Sequence, residues 1–324
     1  MTGFLARRLA NYVVLCLVAT FLAFALGSLS FSPLSQLQGR NPPPPASVIE
    51  AKRAELRLDQ PIPVRFVAWM GGVVHGDFGK TITGQPITSE LTSRIGVSLR
   101  LFTLGAVVGI TAGVLIGAMS AIRQYRPSDY AATLFSFAMI SAPTFFIASL
   151  LKFGGLRLNE AAGVTVLSYT GEFTPGLQGG WWAAVADRLS HLALPTLAIA
   201  LMQMAIYSRY QRSAMLDVLG SDFLRTAQAK GLTRRRALFK HGLRTALIPM
   251  ATLFSFGFGL LITGSVFTER IFSWYGMGDW FVYGVEQNDT NIVATVTLFV
   301  AVVVLIAGWL SDVLYAALDP RIRL

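Results

Sequence analysis

Six stretches of the chain, 9–39, 101–122, 130–151, 189–208, 245–268 and 290–311, contain no Asp, Glu, Lys or Arg. The shortest has 20 residues, and a helix needs about 20 apolar residues to cross the hydrocarbon core of a bilayer. Six such gaps predict six membrane-spanning helices in an all-α membrane protein. Continuous apolar runs exclude a transmembrane barrel, whose strands are roughly ten-residue alternating segments. Composition agrees: 53% of the residues are apolar and only 14% are charged, against about 25% charged in soluble domains. That leaves too little polar surface to cover a soluble core, and too much apolar content for a disordered chain. The single cysteine, Cys16, excludes a disulfide framework.

Charge sets the orientation. Six spans put both termini on one side, and that side carries the pieces 1–8, 123–129, 209–244 and 312–324. These hold 15 basic residues against five acids, while the charges of the opposite side balance. The whole net charge of +10 therefore lies on one face. This is the positive-inside pattern and places both termini in the cytoplasm. The basic excess is then a topology signal and not a nucleic-acid footprint. Arg7-Arg8 before an apolar run resembles a secretory signal, but the run continues to Phe31. An uncleaved first span over 1–31 is the preferred reading.

Two segments stand off the membrane. The first, 32–100, is an expected extracytoplasmic subdomain between helices 1 and 2. It opens on Pro42-Pro43-Pro44-Pro45, a stiff spacer. A helical pattern follows over 46–58, and then the turn formers Gly71-Gly72, Gly76-Asp77, Gly79, Gly84 and Pro86. The second is the cytoplasmic loop 209–244, inside a five-helix domain spanning 101–316, with a tail at 317–324. It reads as helix, break, helix, with Gly231 at the break.

Catalytic chemistry is missing. Gly79-Lys80-Thr81 resembles the end of a phosphate-binding loop, but Val74 stands where that motif needs its first glycine. The chain is expected to bind no nucleotide and no cofactor, so any ATP hydrolysis must come from a partner. His75, His191 and His241 form no metal-binding pattern. His191, near the start of the fourth gap, is expected to be an interfacial anchor in preference to a proton carrier. The span interiors carry no Asp, Glu, Lys or Arg, which argues against an ion-coupled secondary transporter, the alternative from a different class. Gly105, Gly109, Gly113 and Gly117 recur every four residues on one helix face, so another helix can approach closely there. Packing within the chain is the preferred reading; a subunit interface is the other.

The loop 209–244 holds more than charge. Small residues at Ala227, Ala229 and Gly231 lie among the apolar Phe223, Leu224 and Leu232, and a short helix of this kind fits another protein's groove. Arg225-Thr226-Ala227 through Gly231 resembles the coupling loop of ABC importer permeases, Glu-Ala-Ala, three residues, Gly. Arg225 replaces the Glu, and Pro249 comes late, as in the peptide-importer branch. Gly76-Asp77-Phe78-Gly79 with Pro86, Ser141-Ala142-Pro143-Thr144-Phe145, Glu269-Arg270-Ile271-Phe272 with Gly276-Met277-Gly278, and Asp319-Pro320-Arg321 are similar to further segments of that branch, in the same order. The chain thus resembles the first permease subunit of bacterial oligopeptide/dipeptide importers.

The resemblance implies the type I importer fold in the bacterial inner membrane, surrounded by lipid. It implies a second homologous permease, two ATPase subunits and an extracytoplasmic peptide-binding protein as partners, and no nucleic acid. Peptide is the implied cargo, with glutathione or a nickel chelate as alternatives within the branch. Asp222, Phe223, Arg225, Thr226, Ala227, Ala229, Lys230, Gly231 and Leu232 are then the residues expected to meet an ATPase. Asp222 would cap the helix, Ala227 and Gly231 would allow close approach, Arg225 and Lys230 would face acids, and Gly231 would end the helix.

Overall fold

The computed structural model describes residues 2–39, 42 and 44–318. The tail motif Asp319-Pro320-Arg321, Pro43 and the side chains of Arg7 and Arg8 lie outside the described residues. The elements are α1 (Thr2–Ser30), α2 (Ser35–Gln38), α3 (Ala46–Glu55), α4 (Ile62–Val74), α5 (Ile87–Ile122), α6 (Pro127–Ser141), α7 (Thr144–Ala162), α8 (Trp181–Leu219), α9 (Asp222–Ala229) and α10 (Arg234–Ala237). A π-turn, Leu238–Gly242, leads into α11 (Leu243–Ile271), followed by α12 (Met277–Glu286) and α13 (Thr290–Leu318). Among the described residues there is no β-strand, only an isolated bridge between Lys80 and Pro86, so the all-helical expectation holds. Four helices, α1, α5, α8 and α13, are long and apolar enough to cross a membrane, and a fifth span appears if α6 and α7 count as one. α11, 29 residues long, covers the fifth uncharged gap.

One span departs from expectation. The gap 130–151 predicts a continuous helix, yet α6 and α7 meet at an angle of 107°. Pro143 is the cause. A residue before proline is pushed out of the helical region, and Ala142 is extended at φ −84°, ψ 136°. Pro143 then sits at the N-cap of α7.

The chain divides into two compact units. One comprises Met1–Ser98 and Gly276–Leu305. In it, Phe24 of α1, Trp69 of α4 and Ala294 of α13 form a core joined by Phe66 and Met70, with Phe24 and Phe66 edge to face at 5.6 Å. Trp69 Nε1 donates to the Phe78 carbonyl at 3.0 Å, tying α4 to the following loop. Gly71-Gly72, expected as a turn, lies inside α4. The helix runs on past the pair, and Gly72 is needed for packing: a Cβ there would lie 2.7 Å from the Asp77 carbonyl. Asp289 is buried and caps α13, accepting from the N–H groups of Asn291 (3.1 Å) and Ile292 (3.2 Å). It also accepts from Ile82 N at 2.7 Å. Burial holds its carboxyl above the usual carboxylate range despite these donors. Gly79-Lys80-Thr81 lies in this region as a closed turn, with Thr81 N bonded to Gln85 O and Ile87 N to Gly79 O.

The other unit comprises Leu99–Tyr275 and Ile306–Leu324. Here the glycine stripe of α5 lies against α8. A Cβ on Gly105 would stand 2.5 Å from Ile199 Cγ2, one on Gly109 2.6 Å from the Ala200 carbonyl, and one on Gly113 2.8 Å from the Met204 carbonyl. One on Gly117 would enter the Ser208 carbonyl. The stripe is therefore an in-chain seam where two backbones touch. α8 continues through Pro195, and its 39 residues rise about 58 Å, longer than a bilayer of roughly 45 Å, so its ends project. His191 is buried and its Nδ1 lies 2.8 Å from the Asp187 carbonyl, a satisfied structural histidine.

Gly113→Leu should separate α5 from α8, because neither the Met204 backbone nor Tyr207 Cβ can retreat. A loss of about 3 kcal/mol or more is expected, read as a lowered melting temperature of the detergent-purified protein. Gly96→Leu, with open space around it, should leave the melt unchanged.

Candidate functional site

The segment singled out by sequence hangs from the end of α8, and that end is clamped. Arg212 of α8 meets Asp129 in the first turn of α6 in a two-pronged pair, Nε to Oδ1 at 2.7 Å and Nη2 to Oδ2 at 2.8 Å. Ser120 of α5 donates to Asp129 Oδ1, and Tyr125 N donates to Oδ2 at 3.0 Å. Asp129 is 2% exposed. One turn from Arg212 along α8 and two turns from Asp129 along α6, the buried hydroxyls of Ser136 and Ser208 share a hydrogen bond of 2.8 Å. Three helices are thus joined where α8 leaves its glycine seam. A bidentate guanidinium–carboxylate pair also fixes rotation, which a single contact would not.

Beyond the clamp, α8 stops at Leu219 and the chain turns at Gly220 and Ser221, whose Oγ donates to the Val218 carbonyl at 2.6 Å. α9 follows as eight residues. Ser221, and not Asp222, occupies its N-cap, and it makes no side-chain cap bond; Asp222 is the first helical residue and pairs with Arg225 at 3.6 Å. The helix ends in a Schellman motif. Gly231 N donates to Gln228 O at 2.9 Å and Leu232 N to Ala227 O at 3.3 Å, with Gly231 at φ +91°. Only glycine adopts that conformation without strain, which explains the helix end.

The two faces of α9 differ. Leu224 is buried among Ala121, Met215, Val218, Ala237, Leu238 and Ala246. Ala227 and Leu232 pack against the same cluster, so Ala227 serves the chain's own core. A Cβ on Gly231 would meet nothing within 4 Å, so within this chain the position faces open space. Asp222, Phe223, Arg225, Thr226, Ala229, Lys230 and Gly231 are exposed. Phe223 stands out as the exposed aromatic of α9. Gly242, in the π-turn, lets that turn close on α8: a Cβ there would lie 3.3 Å from Val218 Cγ1. Arg244 then donates to the last carbonyls of α13, Leu318 O at 3.0 Å and Ala317 O at 3.1 Å, a favourable cation at a helix C-terminus.

Asp129 and Arg212 enter the sequence reading only as topology charges. The available signal was position: Asp129 borders the gap 130–151 and Arg212 stands one turn beyond the gap 189–208. Charges at the rims of adjacent spans are natural partners.

With this geometry in view, the chain can be compared with known proteins. Residues 113–324, covering α8, α9, the π-turn and α11, match the family described as binding-protein-dependent transport system inner membrane component. Residues 1–87 match the N-terminal part described for the same systems. The chain belongs to this family. The oligopeptide transport system permease protein OppB of Mycobacterium tuberculosis is 59% identical over 100% of this chain and 99% of its own length. The oligopeptide permease AppB of Bacillus subtilis is 37% identical over 82% of each chain. The glutathione permease GsiC of Escherichia coli is 31% identical over 100% of this chain and 99% of its own. Membership makes the protein the membrane component of a binding-protein-dependent importer and sets the ion-coupled alternative aside.

Removing either partner of the Asp129–Arg212 pair should strand a buried charge. Asp129→Ala or Arg212→Met is expected to cost about 3–5 kcal/mol, and the double variant Asp129→Leu/Arg212→Met to recover most of it. Thermal melts of the purified variants check this; strictly additive losses would show that the two groups do not act as a pair.

Proposed function

We propose that this chain is one of two homologous permeases of an ATP-driven importer that carries peptides delivered by an extracytoplasmic binding protein. In this reading two ATPase subunits sit at the cytoplasmic face, the chain crosses the inner membrane six times, and both termini are cytoplasmic. The 59% identity to an oligopeptide permease, against 31% to a glutathione permease, favours peptides as cargo. The basic excess on the termini's side supports the orientation.

The observation that carries the mechanism is the division of α9 into an inner and an outer face. Leu224, Ala227 and Leu232 hold it to the ends of α8 and the π-turn. Phe223, Thr226 and Lys230, at spacings of three and four, remain free for an ATPase groove. Arg225 and Lys230 would face acids on the ATPase, and Asp222 would orient Arg225. When ATP draws the ATPases together, a displacement of α9 passes to α8 through the shared apolar cluster and on to α5 and α6 through the Asp129–Arg212 clamp. The peptide then passes between the two permeases.

Two variants test the seat. Phe223→Asp alters only the outer face. It should leave membrane insertion intact while ATPase co-purification falls and peptide uptake is lost. Gly231→Leu forces a left-handed conformation on an L-residue, at a cost of about 1–2 kcal/mol. It should loosen the helix end and reduce uptake, again with normal insertion. Normal uptake by Phe223→Asp with the ATPase bound would place the contact elsewhere. A wild-type complex that imports no di- or oligopeptide would refute the cargo.

A further inference from the structure

α8 carries two polar rows. Ser208 and Arg212 turn toward α6 and are partnered there by Ser136 and Asp129. Gln203, Tyr207 and Gln211 form the other row, each four residues from the next and so on one face. They are buried, at 5%, 1% and 0% exposure. Gln203 Nε2, the Tyr207 hydroxyl and both amide atoms of Gln211 have no hydrogen-bond partner among the described residues. Buried polar groups are nearly always paired, because an unpaired one has given up its bonds to water for nothing. Four such atoms on one stripe concentrate a cost at one place in the fold.

That place lies between α5 and α11. The Cβ atoms of Gln203, Tyr207 and Gln211 would stand 2.7, 2.9 and 2.9 Å from Cβ atoms placed on Gly109, Gly113 and Gly117, so the row borders the glycine seam. Past the seam Tyr207 extends to α11, where its hydroxyl would lie 3.0 Å from a Cβ on Gly257. The glycine makes room for the hydroxyl without supplying it a partner. The two walls differ in how firmly they are held. α5 is fixed by close approach at four glycines and by the Asp129–Arg212 clamp. α11 is anchored at its base, where Ala246 joins the cluster around Leu224, and then meets Pro249. Proline gives the helix no N–H and its ring crowds the preceding turn, so a helix bends there in preference to elsewhere. The anchored base and the level of Gly257 thus lie on opposite sides of a weak point.

We propose that the contact of α8 with α11 is the seam that parts during transport, and that Gln203, Tyr207 and Gln211 are positioning residues that keep its closed form from becoming too stable. When α11 swings about Pro249, water reaches the four atoms and the cost is relieved; when it returns, they are sealed again. The penalty offsets the apolar contact around it and so sets the balance between the two states. This rests on the chain's being a permease of an ATP-driven importer, and not on what that importer carries.

Tyr207→Phe keeps the ring and removes the hydroxyl; Gln211→Met keeps the length and removes the amide. Both should favour the closed seam. In the purified complex the double variant should melt about 2–4 °C higher than wild type. Its ATP-driven peptide uptake into proteoliposomes should fall at least about fivefold, with ATPase co-purification unchanged. Polar groups with a merely structural role would give the opposite sign, a lower melt. Access is read separately. In a Cys16→Ser background, Gln203→Cys should react several-fold faster with a water-soluble thiosulfonate during ATP turnover than without ATP. A lower melt, unchanged uptake, or a reaction rate indifferent to ATP each overturns the proposal. Absence of ATP-driven uptake by the wild-type complex would count instead against the importer reading, and the thiol reaction would still decide whether the seam opens.

Discussion

Backbone contact between α5 and α8 governs the larger unit. Lipid tails are as apolar as leucine, so no hydrophobic force drives one helix against another inside a bilayer; close packing must do it. Gly105, Gly109, Gly113 and Gly117 remove every side chain from one face of α5 and bring it onto the carbonyls of Ala200, Met204 and Ser208. The seam leads directly into the polar clamp. Gly117 is three residues from Ser120, and Gln211, whose Cβ would lie 2.9 Å from a Cβ placed on Gly117, adjoins Arg212. Dispersion packing in the apolar region and a bidentate ion pair at its rim thus hold the same pair of helices in register.

That register positions the coupling segment. α9 is too short to be stable alone, since isolated helices below about 12 residues are marginal in water. It owes its form to the cluster around Leu224 on one side and to the Schellman turn at Gly231 on the other. Both constraints come from within the chain, so the helix is ordered before any partner arrives. Its outer residues are then presented without the entropic cost of folding on contact.

The sequence made some of this legible and not the rest, for physical reasons. Uncharged gaps locate helices because burying a charge in hydrocarbon is costly; α5, α8, α11 and α13 each cover one, and α1 covers the first up to Ser30. A gap does not register direction: Pro143 is legible as a helix breaker, but the 107° turn it makes is not, and Lys152, which closes the gap 130–151, lies inside α7. Gly71-Gly72 reads as a turn from local propensity, but tertiary packing on the Asp77 carbonyl keeps it helical. Gly231 was legible because its backbone conformation is local. The inward turn of Ala227 was not, because it depends on Met215, Val218 and Leu238, which reach it only in the folded chain. The Asp129–Arg212 pair was hidden by its separation of 83 residues.

That separation bears on how the protein is made. α6 has 15 residues, about 22 Å of helix, short of the roughly 30 Å needed to cross the hydrocarbon. It also begins with a carboxylate whose guanidinium partner has not yet been synthesised when α6 leaves the ribosome. During translation α6 therefore has neither the length nor the charge balance to settle in lipid as an independent unit. The carboxylate at the start of α6 thus gains its counter-charge only once α8 has been made, 83 residues later in the chain.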